Sequence, residues 1–188
     1  YSQYRYSDGM ESGAPRVAVP LDGHFELQRL IVTRRTVHDY APRALPAGAL
    51  ERALEAAVSA PNHRLTEPWR FTRVGPTTRQ ALLEIGLDRV TRGGSIPLPN
   101  TANATIQRTI LNPAELLIVS QTVDARAEVE REDYAAIACA IQNLTLCLWA
   151  EGVGSKWSTA DVMNDPRTYA VLGIDSARER IVGFVWLG

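Results

Sequence analysis

The stretch DYAAIACAIQNLTLCLWAE, residues 133–151, is apolar nearly all the way round a helix and is interrupted only by Gln142, Asn143 and Thr145. A surface helix of a globular domain would carry a polar face opposite its apolar stripe, and this one has none. It must therefore be buried on every side. Two arrangements satisfy that demand. A partner subunit could cover the face that its own domain leaves open, with the small Ala135, Ala136, Ala138 and Ala140 permitting close approach; or the helix could lie wholly inside one chain's core. Its two cysteines, Cys139 and Cys147, are eight residues apart and so roughly 12 Å apart along the axis, too far to bridge. Unpaired thiols without metal-ligand spacing point to a reducing, cytoplasmic setting.

On the N-terminal side of this helix, AELLIVSQTV (114–123) is a continuous apolar run of strand length, which predicts a central strand buried on both faces. Farther upstream, FELQRLIVTRR (25–35) predicts a short helix after an Asp22-Gly23 start signal, ending at the arginines. A second helix starts near Pro46, places Leu50, Ala53, Leu54, Ala57 and Val58 on one side, and stops at Pro61. WRFTRV (69–74) alternates as a strand does. A third helix is expected from Thr77 to about Asp88, followed by a mobile excursion at TRGGSIPLPNTANAT (91–105). On the C-terminal side, GVGSKWSTAD (152–161) reads as a turn and RIVGFVWLG (180–188) as a strand. Helices and strands intermix without repeats or a linker, an α+β arrangement. Residues 1–24, polar and rich in Gly, Ser and Tyr, read as a flexible extension to a domain spanning 25–188.

The chain has 188 residues, 45% hydrophobic and 22% charged, the composition of a globular domain able to bury a core. Twenty basic residues against twenty-one acidic leave a net charge of -1, so no global field draws the chain to nucleic acid or anionic membranes. No apolar run reaches membrane-spanning length. His63 suggests a metal, but His24 and His38 are remote and no ligand spacing accompanies it. There is no G-x-S-x-G elbow, no P-loop lysine after GVGS, and no third glycine of a dinucleotide fingerprint.

Three weak signals remain. Arg34, Arg35 and Thr36 stand together after the first helix, where cations either complement the helix dipole or form a pocket for a phosphate dianion. SAPNHRLTEPWRF (59–71) crowds two prolines, a histidine and a tryptophan into one loop. In EGVGSKWSTAD the glycines permit close approach of backbone to a ligand, Trp157 offers a flat apolar face, and Ser158 and Thr159 offer hydroxyls just ahead of a helix start. Each alone has an ordinary explanation in capping or packing.

Taken together and in this order, the three resemble the motifs of the FMN-dependent nitroreductase family, in its small, minimal NAD(P)H branch, from about Phe25 to the end of the chain. The resemblance implies a nitroreductase-like α+β fold, a central mixed β-sheet flanked by helices, and an intertwined homodimer with FMN in clefts between subunits. Carried over residue by residue, it implies that Arg34, Arg35 and Thr36 hold the FMN phosphate and ribityl chain and that Ser59, Asn62 and His63 lie along the ring, with Pro61 and Pro68 fixing the loop. Trp157, Ser158 and Thr159 would meet the same FMN from the other subunit. Relatives often carry arginine at the positions of Ser158 and Ser59, so the phosphate would rest more heavily on Arg34 and Arg35.

The implied chemistry is ping-pong hydride transfer from NADH or NADPH, through flavin, to a nitroaromatic, quinone or similar small acceptor. It needs no catalytic acid, base or nucleophile from the protein and no metal. Three alternatives stand beside it: another flavin reaction on the same scaffold (dehalogenation, flavin fragmentation, small-amide oxidation), a flavin-binding dimer without turnover, and a nucleic-acid module built on Arg64, Trp69, Arg70 and Arg73. Alternation of those arginines with Glu67 and the near-zero net charge speak against the last. The segment DRVTRGGSIPLPNTANAT (88–105) lacks the set of acidic, tyrosine and lysine contacts of the deiodinating members.

Overall fold

The apolar run Glu115–Thr122 forms a strand with six successive buried residues, Leu116 to Gln121, because both faces of the sheet it centres are covered. The structure, a computed structural model, describes residues 21–41, 43–93, 108 and 110–188. In chain order its elements are α1 (Leu21–Thr33), α2 (Ala49–Val58), β1 (Trp69–Arg73), α3 (Pro76–Gly93), β2 (Glu115–Thr122), α4 (Ala127–Ala150), β3 (Ser155–Ser158), α5 (Pro166–Leu172) and β4 (Glu179–Leu187). Short 3-10 turns occupy His63–Leu65 and Asp161–Asn164. The expected extension at 1–20 and most of the expected excursion, 94–107, lie outside the described residues; α1 begins at Leu21, so the last four residues of the expected extension are helical.

The strands run in the order β1-β2-β4-β3, each neighbouring pair antiparallel. The mixed character expected of the sheet is confined to one parallel bridge among the described residues, Thr36 with Ser155. A register shift between Val119 and Ser120 leaves Val182 of β4 without an opposite residue, a bulge that turns Gly183 toward the same face as Val119.

Alternation along the strands sends side chains to two cores. On one face, Leu117, Val119, Val185 and Leu187 pack with α2 and α4; on the other, Leu116, Ile118, Phe184 and Trp186 pack with Leu82 and Leu83 of α3 and, at the margin, Tyr169 and Leu172 of α5. Arg79, nearly buried, closes the second core's rim by donating to the carbonyls of Val74, Pro113 and Ala114.

Of the two arrangements expected to bury the apolar helix, burial within one chain is incomplete among the described residues. Among the described residues, the chain buries one flank of α4, through Val129, Ala136, Ile137, Ala140, Ile141, Leu144 and Leu148. Tyr134, Ala135, Cys139 and Gln142 are exposed, and Ala138, Leu146 and Trp149 are half-buried. The uncovered residues recur at helical spacing, so they form a single stripe along the helix. The described residues of one chain do not cover this helix completely.

Candidate functional site

Arg34, Arg35 and Thr36 leave α1 at its last turn, where the Arg34 amide still donates to Leu30 O. The Arg35 guanidinium folds back to donate to the carbonyls of Val32 (2.7 Å) and Arg34 (2.9 Å), the capping role that cations take at a helix C-terminus. Arg34 is half-buried as a residue, and its guanidinium makes no hydrogen bond or ion pair among the described residues. Thr36 pairs with Ser155 and the Val37 amide donates to Ser155 O at 3.0 Å, so this segment lies along the outer edge of β3. α1 is tied to α4 at the same end, where Trp149 Nε1 donates to Thr33 Oγ1 at 3.2 Å.

The glycines of GVGSKWST serve the chain itself rather than a ligand. Gly152, at φ 74°, ends α4 in the left-handed conformation. Gly154 exchanges two backbone hydrogen bonds with Gly188, and a Cβ there would lie 2.8 Å from Val37 Cγ2 and 3.0 Å from Gly188 O. Three backbone segments therefore meet where only a hydrogen fits. The segment then continues not as a turn but as β3; the helix start expected after Thr159 takes the form of the 3-10 turn Asp161–Asn164, and an α-helix begins at Pro166, capped by Asp165, whose side chain accepts from the Arg167 amide.

Trp157 does not present a free flat face. It packs against the first core, and a Cβ on Gly183 would collide with its Nε1 and lie 2.6 Å from its Cδ1. The indole thus sits over the glycine next to the β4 bulge, a diagonal cross-strand pair. Ser158 and Lys156 alternate with it and, opposite Phe184 and Trp186, belong to the other face. Lys156, absent from the residues expected at the site, is the only lysine of the chain. It is half-buried, immediately follows the Thr36–Ser155 bridge, and makes no ion pair among the described residues. Its uniqueness among the twenty basic residues was the available signal.

The 59–68 loop is held by two adjacent carboxylates of α4. The Asn62 amide donates to Thr66 Oγ1 at 3.0 Å, Thr66 donates in turn to the buried Asp133 at 2.5 Å, and Asn62 Oδ1 accepts from the Glu67 amide at 2.7 Å. The Asn62 side chain thus shapes its own loop. Glu132 Oε2 accepts from Arg64 Nε at 3.2 Å and lies 3.0 Å from His63 Nδ1. Hydrogen bonding from Arg64, with a smaller contribution from His63, holds the Glu132 carboxyl below its usual range against the opposing effect of burial. These anchors enforce a backbone that side chains resist: Arg64, Leu65 and Glu67 have φ of 67°, 52° and 45°. Ser59 caps α2, its hydroxyl donating to Glu55 O at 2.9 Å.

Within one chain, Arg34-Arg35-Thr36 and Lys156-Trp157-Ser158 are therefore neighbours, at the C-terminal end of α4. The loop bearing Ser59, Asn62 and His63 is anchored at the other end, and Asp133 and Trp149 are about 24 Å apart along the axis. The resemblance grouped the first element with the loop and assigned the third to a partner; the fold joins the first to the third. No group of three His, Cys, Asp or Glu that could hold a metal ion occurs among the described residues, and no helix among them is long and apolar enough to cross a membrane.

The profile of the Nitroreductase family matches residues 31–188. YfhC of Bacillus subtilis (strain 168), provisionally named an NAD(P)H nitroreductase, is 29% identical over 166 residues, covering 88% of this chain and 84% of that protein. The crystal structure of a nitroreductase-like family protein from Bacillus cereus superposes with a TM-score of 0.72 at 26% identity, over 86% of this chain and 84% of that one. A Bacteroides fragilis nitroreductase crystallised with bound FMN gives a TM-score of 0.66 at 24% identity, over 87% of each chain.

Proposed function

Because the chain belongs to the nitroreductase family, we propose that it is an FMN-dependent oxidoreductase passing hydride from NADH or NADPH to nitroaromatic, quinone or similar small acceptors. The observation that supports the reading is the Thr36–Ser155 bridge, which brings the segments carrying Arg34 and Lys156 side by side, two half-buried cationic residues without an ion pair among the described residues. Half-buried cations are stabilised by a fixed anion, and a phosphate dianion supplies one. Arg34, Lys156, Thr36 and Ser158 would hold the phosphate end of FMN, with Thr159 and Arg35 at its margin. Trp157, seated on Gly183, would stiffen the strand that presents them. Lys156 would supply charge that Ser158, where relatives often carry arginine, does not.

Bound flavin accepts two electrons as hydride and passes them on, which lets donor and acceptor use the cleft in turn. The chain's own part is to bind, orient and exclude water. Ser59 and His63 would border the ring, while Asn62 holds the loop that carries them.

One chain cannot complete this site, because its two halves lie at opposite ends of α4. A homodimer can. The uncovered stripe of α4 is self-complementary about Gln142: in an antiparallel pair, Ala135 faces Trp149 and Ala138 faces Leu146, small against large. The same register brings Asp133 of one chain beside Glu151 of its partner, and so sets the 59–68 loop next to the other chain's β3. Each cleft would then draw Arg34 and Lys156 from one subunit and Ser59 and His63 from the other. The unpaired Cys139 and Cys147 support a cytoplasmic setting.

The purified protein should be yellow or become so with added FMN, and should bleach on anaerobic titration with NADH or NADPH. A colourless protein that cannot be reconstituted overturns the reading. FMN that binds but is reduced by neither nucleotide would leave a flavin-binding dimer without turnover.

A further inference from the structure

We propose that Leu65 is a specificity-determining residue: held out from the chain by its own strained loop, it is the apolar surface against which the cleft takes up a flat aromatic acceptor. Leu65 is 83% exposed, well beyond Leu27 and Val32 at 57%. It also stands at φ 52°, in the left-handed region that side chains other than those of Asn and Asp resist. Both features count against the free chain. A loop that needed only to turn here would be served by Gly or Asn, and a leucine in water adds nothing to the chain's own core.

The conformation is fixed from both sides. Arg64 Nε donates to Glu132 Oε2 at 3.2 Å and Thr66 Oγ1 donates to buried Asp133 at 2.5 Å, so the backbone of Leu65 lies between two anchors on α4. The Glu67 amide closes the loop by donating to Asn62 Oδ1 at 2.7 Å. Arg64 and Glu67 have positive φ as well. These anchors hold the backbone on either side of Leu65 and leave its side chain free. Backbone kept against its preference by its surroundings clusters at ligand clamps and active sites. An isobutyl group recognises by apolar contact alone, which selects the face of an aromatic ring over a strongly hydrated acceptor. Placing Leu65 at the cleft rests on the functional reading above, in which Ser59 and His63 of the same loop border the ring; its exposure and its strain do not.

The test compares two acceptors, the flat quinone menadione and the hydrated anion ferricyanide, on FMN-loaded protein reduced anaerobically with stoichiometric dithionite. One quinone takes both electrons of the reduced flavin with two protons; two ferricyanide ions take one electron each. In Leu65→Asn the second-order rate with menadione should fall about tenfold, the order of magnitude of burying one leucine side chain. The rate with ferricyanide and the affinity for FMN should stay as in the wild type. Asparagine adopts positive φ more readily than leucine, so the urea midpoint of the same variant should match or exceed that of the wild type. An unchanged menadione rate, or an equal loss with both acceptors, overturns the proposal. A lower urea midpoint in Leu65→Asn, or a shift from dimer to monomer in sedimentation, also overturns it, by assigning the side chain to the fold or to a partner subunit. Wild-type protein that takes up no FMN overturns the functional reading and this proposal with it, and is seen before any variant is compared.

Discussion

At the scale of single residues, the candidate site depends on contacts that leave no room for substitution. Gly183→Ala would drive a methyl into the Trp157 indole and to 3.1 Å from Ser158 O. Overpacking of this kind costs about 1–3 kcal/mol, and urea unfolding should show the loss as a lower midpoint. Because the strand that moves carries Lys156 and Ser158, FMN affinity should fall in the same variant. Lys156→Ala should leave the unfolding midpoint close to wild type and weaken FMN binding about tenfold or more, the range of a charge-assisted hydrogen bond; a fluorescence titration with FMN separates the two variants. An unchanged FMN dissociation constant in Lys156→Ala would remove the lysine from the phosphate site. The lysine was legible in the sequence as the only one of its kind. The seat of Trp157 was not, because the pairing of Trp157 with Gly183 depends on the register of β3 against β4.

At the scale of elements, two short pieces escaped the sequence pattern for physical reasons. β3 has four residues, too few for alternation to declare itself, and it exists because β4 on one edge and Thr36–Val37 on the other supply its hydrogen bonds. α5 has seven and is set by its cap: Asp165 accepts from the Arg167 backbone and side chain, with Pro166 in the first turn. Arg167, the Arg167 amide and Arg89 hold the Asp165 carboxyl well below the usual carboxylate range. A carboxyl whose folded pKa is depressed contributes stability that is complete above its unfolded value, near 4, and lost as pH falls through the lower folded one. The urea midpoint of the wild type should therefore drop more steeply than that of Asp165→Asn between about pH 5 and about pH 2. Parallel curves would exclude Asp165 from the acid limb. The long elements were legible, β2 from its unbroken apolar run and α2 from its spacing, because each buries enough surface to write its period into the chain.

At the scale of the whole molecule, the stripe of α4 left uncovered by the described residues and the proposed division of the site between its two ends both support the proposed homodimer. Ala138→Arg, placing a charged side chain where Leu146 of a partner should pack, should give a monomer by sedimentation that retains little FMN. Gln142→Cys, in a background with Cys139 and Cys147 replaced by serine, should form a disulfide-linked dimer on mild oxidation while keeping its flavin. A monomer that binds FMN as tightly as the wild type would refute the shared cleft. The exposed apolar residues of α1, Leu27, Ile31 and Val32, are the further surface such a dimer would cover.

What the sequence determined by itself was the inventory: the α+β class, the central strand, the long apolar helix, and the three motifs with their order. These are properties of local period and composition, which a chain carries wherever it folds. Only the tertiary structure decided which motifs share an end of α4, that Asn62 is spent on its own loop, and that Trp157 is seated on Gly183. Those facts depend on pairing between segments distant in the chain, Thr36 with Ser155, Thr66 with Asp133 and β3 with β4. Such pairing is selected by the fit of two whole cores, and no local pattern encodes it.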